Sequence, residues 1–228
     1  VMPLPVLYSL QNCPYAMRAR LAILLAQQTV MLRAIVMTNK PAEMLTMSPK
    51  GTVPVLILAN SDDVNNEKES NKHVIDESLD IMLWALNLND PENLLYAQNA
   101  EYLKEMLIII EENDTQFKPK LEQYKRARRF HNSDEEYCRA LCEPFVQKLE
   151  TRLTQHDFLM GSTPSLLDYA LLPFIRQFSR VNRQWYLQGP YTHLQSWLNL
   201  HLQSRLFSKA MMKYPLWLDE HQECLLGE

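Results

Sequence analysis

The chain has 228 residues, of which 46% are hydrophobic and 22% are charged, a balance that is typical of a globular protein with a buried core. Its net charge of −4 argues against nucleic acid or an anionic membrane as the main partner. No apolar run reaches the roughly 18 residues of a membrane helix, and we expect no secretory signal. The four cysteines suit neither a disulfide scaffold nor a zinc site, so we expect a cytoplasmic protein without bound metal.

The first part of the chain alternates between strand and helix patterns. The sequence predicts strands at 6–9, 29–37, 53–58 and 73–76, and helices at 14–27, 41–47 and 78–86. Pro14 suits the first turn of a helix, and Ser78 is expected to cap the third helix. This order predicts a small mixed sheet whose first two strands are parallel. The polar segment 60–72 is expected to be an exposed loop between two strands of a hairpin.

The rest of the chain has a different pattern. After Pro91, apolar residues recur at helical spacing in the stretches 102–110, 137–153, 166–174 and 193–211. No strand pattern of comparable strength follows. The sequence therefore predicts an α/β domain at 1–88 and an all-helical domain at 89–228.

A single cysteine stands where the first strand becomes a helix, in the sequence SLQNCPYAMRAR at 9–20. The unpaired N–H groups of a helix start carry partial positive charge and favour a thiolate at Cys13. Arg18 and Arg20 can add positive potential, and each fits a structural or surface role equally well. Ala16 occupies the position where a dithiol motif has its second cysteine, so we do not expect a dithiol mechanism.

Four stretches, in this order, resemble the landmarks of the cytosolic glutathione transferases: CPY at 13–15, GTVPVL at 51–56, DES at 76–78 and SLLD at 165–168. The resemblance covers nearly the whole chain. The CPY sequence and Lys40-Pro41 are similar to the cysteine-type branch, which includes omega-like and glutaredoxin-like bacterial-style members. This resemblance implies a thioredoxin-like N-terminal domain with a mixed four-stranded sheet, followed by a helical domain that contributes the acceptor-substrate pocket.

The resemblance also implies how glutathione would lie beside Cys13. It implies a cis peptide bond between Val53 and Pro54, which turns the N–H and C=O of Val53 outward. An extended peptide can pair with these groups as an added strand. Glutathione bound in this way would hold its own cysteine next to Cys13.

Further roles follow from the same resemblance for residues that hold the ends of glutathione. The helix start at Ser78 would receive the γ-glutamyl carboxylate, and Glu77 would lie near the ammonium group. Lys40 would pair with the glycine carboxylate, and Tyr15 completes the predicted glutathione-binding set. The SLLD stretch at 165–168 is a capping-box pattern with a role in folding.

A single thiol beside bound glutathione needs no second protein cysteine, because glutathione supplies it. We therefore predict glutathione-dependent thiol transfer or reduction, with glutathione as co-substrate and a small disulfide or electrophile as partner. Two alternatives stay open. One is conjugation of glutathione to an electrophile, in which the hydroxyl of Ser9 or Tyr15 stabilises the glutathione thiolate. The other is a non-enzymatic interaction module on the same fold. The resemblance also implies a homodimer.

Overall fold

A computed structural model of the chain describes residues 3–58 and 73–227. The segment 60–72, predicted as an exposed loop, lies outside the described residues. The described chain divides into two compact units, one from Val1–Pro91 together with Arg205–Glu228 and the other from Glu92–Ser204. The first unit therefore contains the last part of the chain as well as the beginning.

The strands all belong to the first unit, and both units contain helices. The strands are β1 (Val6–Ser9), β2 (Val30–Ala34), β3 (Val55–Leu58), β4 (His73–Ile75) and β5 (Cys224–Leu226). The helices are α1 (Pro14–Leu25), α2 (Ala42–Met47), α3 (Ser78–Leu88), α4 (Ala100–Glu112), α5 (Lys118–Arg129), α6 (Glu135–Leu153), α7 (Leu166–Val181), α8 (Arg183–Gln188), α9 (Thr192–Leu202), α10 (Arg205–Ala210) and α11 (Trp217–Glu220). A π-helical turn, Asn113–Phe117, joins α4 to α5.

The strands form one mixed sheet in the order β4-β3-β1-β2-β5. As predicted, β1 and β2 are parallel and β3 and β4 form an antiparallel hairpin. The prediction of four strands was wrong, because β5 pairs antiparallel with β2 and places Cys224 opposite Leu32. β5 has only three residues, too few to show an alternating pattern. It forms because it covers the edge of β2, which would otherwise be unpaired.

Both faces of the sheet are covered. Side chains alternate between the faces along a strand, and the neighbours Leu7 and Tyr8 in β1 are both fully buried. Tyr8 belongs to a core with Met44 of α2 and Val55 of β3, whereas α1 packs against α3. Within the described part of the chain, no helix has the length and apolar composition needed to span a membrane.

The helical unit has α7 at its centre, and most residues of that helix are buried. The predicted capping box is confirmed: Asp168 accepts hydrogen bonds from the N–H of Ser165 at 2.9 Å and from its hydroxyl at 2.8 Å. Its carboxylate also accepts from the N–H of Leu159 at 3.0 Å and from the indole of Trp197 at 2.8 Å. One buried carboxylate thus holds three parts of the helical unit together.

Beside this carboxylate, His201 is buried among three aromatic rings. Its ring centroid lies 5.0 Å from that of Trp197, 5.3 Å from that of Tyr169 and 5.9 Å from that of Phe158. Burial lowers the pKa of His201 to about 4, because an apolar surrounding disfavours the charged imidazolium. The helical unit therefore holds this histidine in its neutral form at neutral pH.

We predict that Asp168→Ala lowers the stability of the protein, because four buried donors lose their acceptor. The expected loss in the free energy of unfolding is on the order of 3 kcal/mol or more, measured by urea denaturation. Asp134→Ala is the matched control: Asp134 is an exposed helix-cap residue without a side-chain capping bond. Equal stability of Asp168→Ala and the wild type would contradict this role.

We predict that His201 makes the protein sensitive to acid. Below pH of about 6.5 the unfolded chain takes up a proton at this residue, whereas the folded protein resists it down to about 4. The stability that His201 contributes is therefore complete above pH ~6.5 and is lost as the pH falls towards 4, by about 3 kcal/mol. Urea unfolding at several pH values should show a shallower acid dependence for His201→Phe. Parallel pH profiles for the two proteins would rule the account out.

Candidate active site

The thiol of Cys13 lies at the start of α1, as predicted. Cys13 is the N-cap residue with extended backbone dihedrals, φ −73° and ψ 123°. Its N–H donates to the carbonyl of Leu10 at 3.1 Å, and its carbonyl accepts from the N–H of Met17 at 2.9 Å. The cysteine is free and partly exposed. The main chain on both sides therefore fixes its position, while the sulfur remains accessible.

The main chain before β3 meets this thiol. The Sγ atom of Cys13 lies 3.8 Å from the carbonyl oxygen of Val53, and the peptide bond between Val53 and Pro54 is cis. Val53 precedes the paired part of β3, where Val55 lies opposite Tyr8. The fold thus brings together the predicted catalytic residue and the predicted peptide-binding residue.

Ser78 occupies a different helical position from the one predicted. The prediction that it caps α3 was wrong, because α3 begins at Ser78 and Glu77 is the N-cap residue, without a side-chain capping bond. The buried hydroxyl of Ser78 instead accepts a hydrogen bond from the guanidinium of Arg18 at 3.4 Å. Because the oxygen accepts this bond, its O–H can donate to a ligand.

Arg18 connects two of the predicted residues. It is fully buried, and its guanidinium lies 5.5 Å from the ring centroid of Tyr15 as well as near Ser78. Sequence reasoning considered Arg18 as a source of positive potential or, equally, as a structural or surface residue. The helical spacing from Tyr15 to Arg18 was the available signal for their contact, but the contact with Ser78 spans sixty residues and has no local signature.

Glu77 already has a cationic partner. The ammonium of Lys50 forms an ion pair with the Glu77 carboxylate and donates to the carbonyl of Asp76 at 3.0 Å. The Glu77 side chain is 68% exposed, so solvent screens this pair and a ligand can reach the carboxylate. Sequence reasoning missed Lys50, which lies in the turn before Gly51.

Lys40 lies beside the same turn. Gly51 has φ +65°, and a Cβ added to it would lie 3.2 Å from the Lys40 ammonium nitrogen. Glycine is favoured here because the left-handed conformation is costly for other residues. The turn therefore places Lys40 near the chain that leads into Val53.

Several separate contacts within the first unit involve the predicted site residues. Cys13 contacts Val53, Lys50 pairs with Glu77, and Arg18 contacts both Tyr15 and Ser78, while Lys40 lies beside Gly51. Among the residues from 3 to 58 and from 73 to 227, no three His, Cys, Asp or Glu side chains are grouped to hold a metal ion. The site offers one thiol, main-chain pairing groups and charges of both signs.

Comparison with known proteins identifies this combination of two units. Residues 7–93 match the family model of the glutathione S-transferase N-terminal domain, and residues 122–200 match that of the C-terminal domain. The chain belongs to the glutathione S-transferase family. The two matched ranges together make up well over half of the chain. No curated protein matches its sequence significantly.

Solved structures of glutathione transferases have the same fold. Omega 2C from Trametes versicolor is 20% identical, with a TM-score of 0.73, over 92% of this chain and 94% of that one. A family member from Pseudomonas fluorescens pf-5 with two glutathione bound is 16% identical, with a TM-score of 0.74, over 91% and 92%. Glutathione S-transferase-I bound with lactoylglutathione is 20% identical, with a TM-score of 0.72, over 91% and 98%.

Proposed function

We propose that this transferase is a glutathione-dependent thiol transferase or reductase that acts through Cys13. The observation that carries the proposal is the accessible thiol at the start of α1, 3.8 Å from the main chain of Val53. A peptide that pairs with Val53 as an added strand places its own cysteine beside Cys13. Glutathione is such a peptide, and relatives with glutathione or lactoylglutathione bound support this choice of ligand.

The reaction takes place in two exchanges at sulfur. The Cys13 thiolate attacks the glutathione sulfur of a mixed disulfide, a bond forms between Cys13 and glutathione, and the acceptor leaves as a thiolate that takes up a proton. A second glutathione then attacks the glutathione sulfur of this adduct as a thiolate and releases Cys13 with the formation of glutathione disulfide. One free glutathione is thus consumed for each mixed disulfide reduced, and the other half of the glutathione disulfide comes from the substrate. Dehydroascorbate and glutathionyl adducts are candidate substrates.

The first unit has groups complementary to both ends of glutathione, the γ-glutamyl end and the glycine carboxylate. The Ser78 hydroxyl and the N–H groups at the start of α3 can bind the γ-glutamyl carboxylate, with Arg18 holding the hydroxyl in place. When glutathione binds, the ligand's ammonium group replaces Lys50 as the ion-pair partner of Glu77. Lys40 binds the glycine carboxylate. The acceptor pocket in the helical domain, the homodimer and the cytoplasmic location remain predictions.

The conjugation alternative requires the hydroxyl of Ser9 or Tyr15 to stabilise the glutathione thiolate, and Ser9 has less support than Tyr15. The hydroxyl of Ser9 is buried, and Arg20 donates to it at 2.6 Å from within the fold, an arrangement that favours a structural role for Ser9. Conjugation would therefore depend on the hydroxyl of Tyr15, which follows Cys13 closely in the chain. Because the Cys13 sulfur lies 3.8 Å from the Val53 carbonyl oxygen, we favour thiol transfer.

Cys13→Ser tests the proposed chemistry. We expect the variant to be retained on immobilised glutathione but to lose at least about a hundredfold in turnover of a glutathionylated peptide, because an alcohol does not form the mixed disulfide. Cys224→Ser is the matched control, since Cys224 is the other partly exposed free thiol of the first unit. Wild-type turnover in Cys13→Ser would exclude the cysteine mechanism and favour conjugation.

Ser78→Ala tests the proposed binding mode. Loss of a hydrogen bond to a ligand carboxylate costs about 1.5–3 kcal/mol, so calorimetry should show roughly a 10- to 150-fold weaker affinity for reduced glutathione. Thr46→Ala removes an exposed hydroxyl from α2 in the same unit and should bind normally. If folded Ser78→Ala binds glutathione as tightly as the wild type, this assignment of Ser78 is wrong.

A further inference from the structure

A second buried arginine of α1 has no part in the reaction described above. Arg20 is 2% exposed, and its guanidinium makes short hydrogen bonds in several directions. It donates to the carbonyl of Ala210 at 2.7 Å, the hydroxyl of Ser9 at 2.6 Å, the carbonyl of Leu10 at 3.1 Å and the carbonyl of Gln11 at 2.6 Å. A planar guanidinium is suited to such a set because its five N–H groups point in fixed directions.

Two of these acceptors lie in the loop that leads to the catalytic thiol, and a third, Ser9, is the last residue of β1. This thiol loop, residues 10–12, connects β1 to Cys13. Its carbonyls at Leu10 and Gln11 point to Arg20, and the Leu10 carbonyl also accepts from the N–H of Cys13. The position of the thiol therefore depends on a loop that Arg20 holds from within the fold.

The remaining contacts of Arg20 reach the end of the chain. The return segment, residues 205–227, follows the helical unit and belongs to the first unit. Arg20 binds its Ala210 carbonyl and lies 3.7 Å from the sulfur of Met211. The side chain of Gln11, in the thiol loop, donates to the carbonyl of Met211 at 2.9 Å. The thiol loop and the return segment thus meet at one buried cation.

The return segment also contacts α2, the helix that follows Lys40. The indole N–H of Trp217 donates to the Glu43 carboxylate of α2 at 2.7 Å, and the guanidinium of Arg33 lies 3.9 Å from the centre of the Trp217 ring. Leu216 forms a bridge with Ala34 at the end of β2. The same segment thus supports both the thiol loop and α2.

Arg20 remains a cation at neutral pH. Burial lowers its pKa to about 10, and electrostatic interactions with Cys13 and Tyr214 oppose this effect. The guanidinium is therefore a fixed positive charge near the thiol, oriented by carbonyl groups from two parts of the chain. A lysine would keep the charge but would lack the planar set of donors.

We propose that Arg20 is a positioning residue for Cys13 and that it couples the return segment to the thiol loop. The inference rests on the proposed function of Cys13. A shift of about 1 Å in a reacting group can reduce a rate on the order of a hundredfold. The place of Cys13 thus depends on residues that lie about two hundred positions later in the chain.

Arg20→Lys tests this coupling in the full-length protein. We expect the alkylation rate of Cys13 by iodoacetamide at pH 7 and the kcat for thiol transfer to fall about tenfold or more, whereas the KM for glutathione changes less than about threefold. Hydrogen exchange should become faster in residues 9–13 and 205–216 together. Arg176→Lys, a change at a buried arginine of the helical unit, is the matched control and should leave Cys13 alkylation and both segments unchanged.

Gln11→Ala provides a second test, and it decides the matter if Arg20→Lys does not fold. It removes one bond between the thiol loop and the return segment and keeps the guanidinium. We expect a smaller effect in the same direction, with faster exchange in both segments and slower alkylation. Faster exchange in only one segment, or alkylation at the wild-type rate in a folded variant, would overturn the proposal. Alkylation and exchange do not require turnover, so these outcomes are distinct from a failure of the thiol-transfer proposal.

Discussion

The contact between the Cys13 sulfur and the Val53 carbonyl joins two parts of the chain that are forty residues apart. It exists because β1 lies between β2 and β3, so that the loop after β1 and the chain before β3 meet at the same end of the sheet. The start of α1 provides the local environment of the thiol, and the main chain of Val53 approaches it from the other side.

Two buried arginines on α1 keep the parts of this site in register. Arg18 reaches the start of α3 through the Ser78 hydroxyl, and Arg20 holds the loop before Cys13. Buried charges are costly unless they are paired or hydrogen-bonded. Arg20 meets that requirement mainly with main-chain carbonyls, two of which belong to the loop before Cys13. The same helix therefore carries the thiol and organises its surroundings.

Local patterns predicted the parts of the fold that depend on local forces. The parallel pair β1 and β2, the hairpin of β3 and β4 and the capping box at Asp168 follow from alternation, spacing and capping chemistry. The strand at Cys224–Leu226 was missed because it is stabilised by pairing with β2 and not by its own three residues. A strand of this kind can be predicted only after the sheet edge that it pairs with is known.

The sequence did not predict the contacts between the proposed site residues, and the roles of those residues stay a prediction. The resemblance to glutathione transferases supplied Cys13 and Val53, and the fold brings these two together. The ion pair of Lys50 with Glu77 and the contacts of Arg20 with the end of the chain were not predicted. Such contacts join residues far apart in sequence, and a charged residue on a helix has the same local pattern whether it is exposed or buried.

The most direct test of the central claim is the intact mass of the protein after incubation with oxidised glutathione. The account predicts one glutathione adduct, mapped to Cys13 and removed by reduced glutathione, because the exposed thiol lies where the ligand's sulfur would bind. Cys142 should not react, since burial raises the pKa of its thiol to about 12. An unmodified Cys13, with no adduct or with the adduct on Cys224, would contradict the proposal that this transferase works through a cysteine.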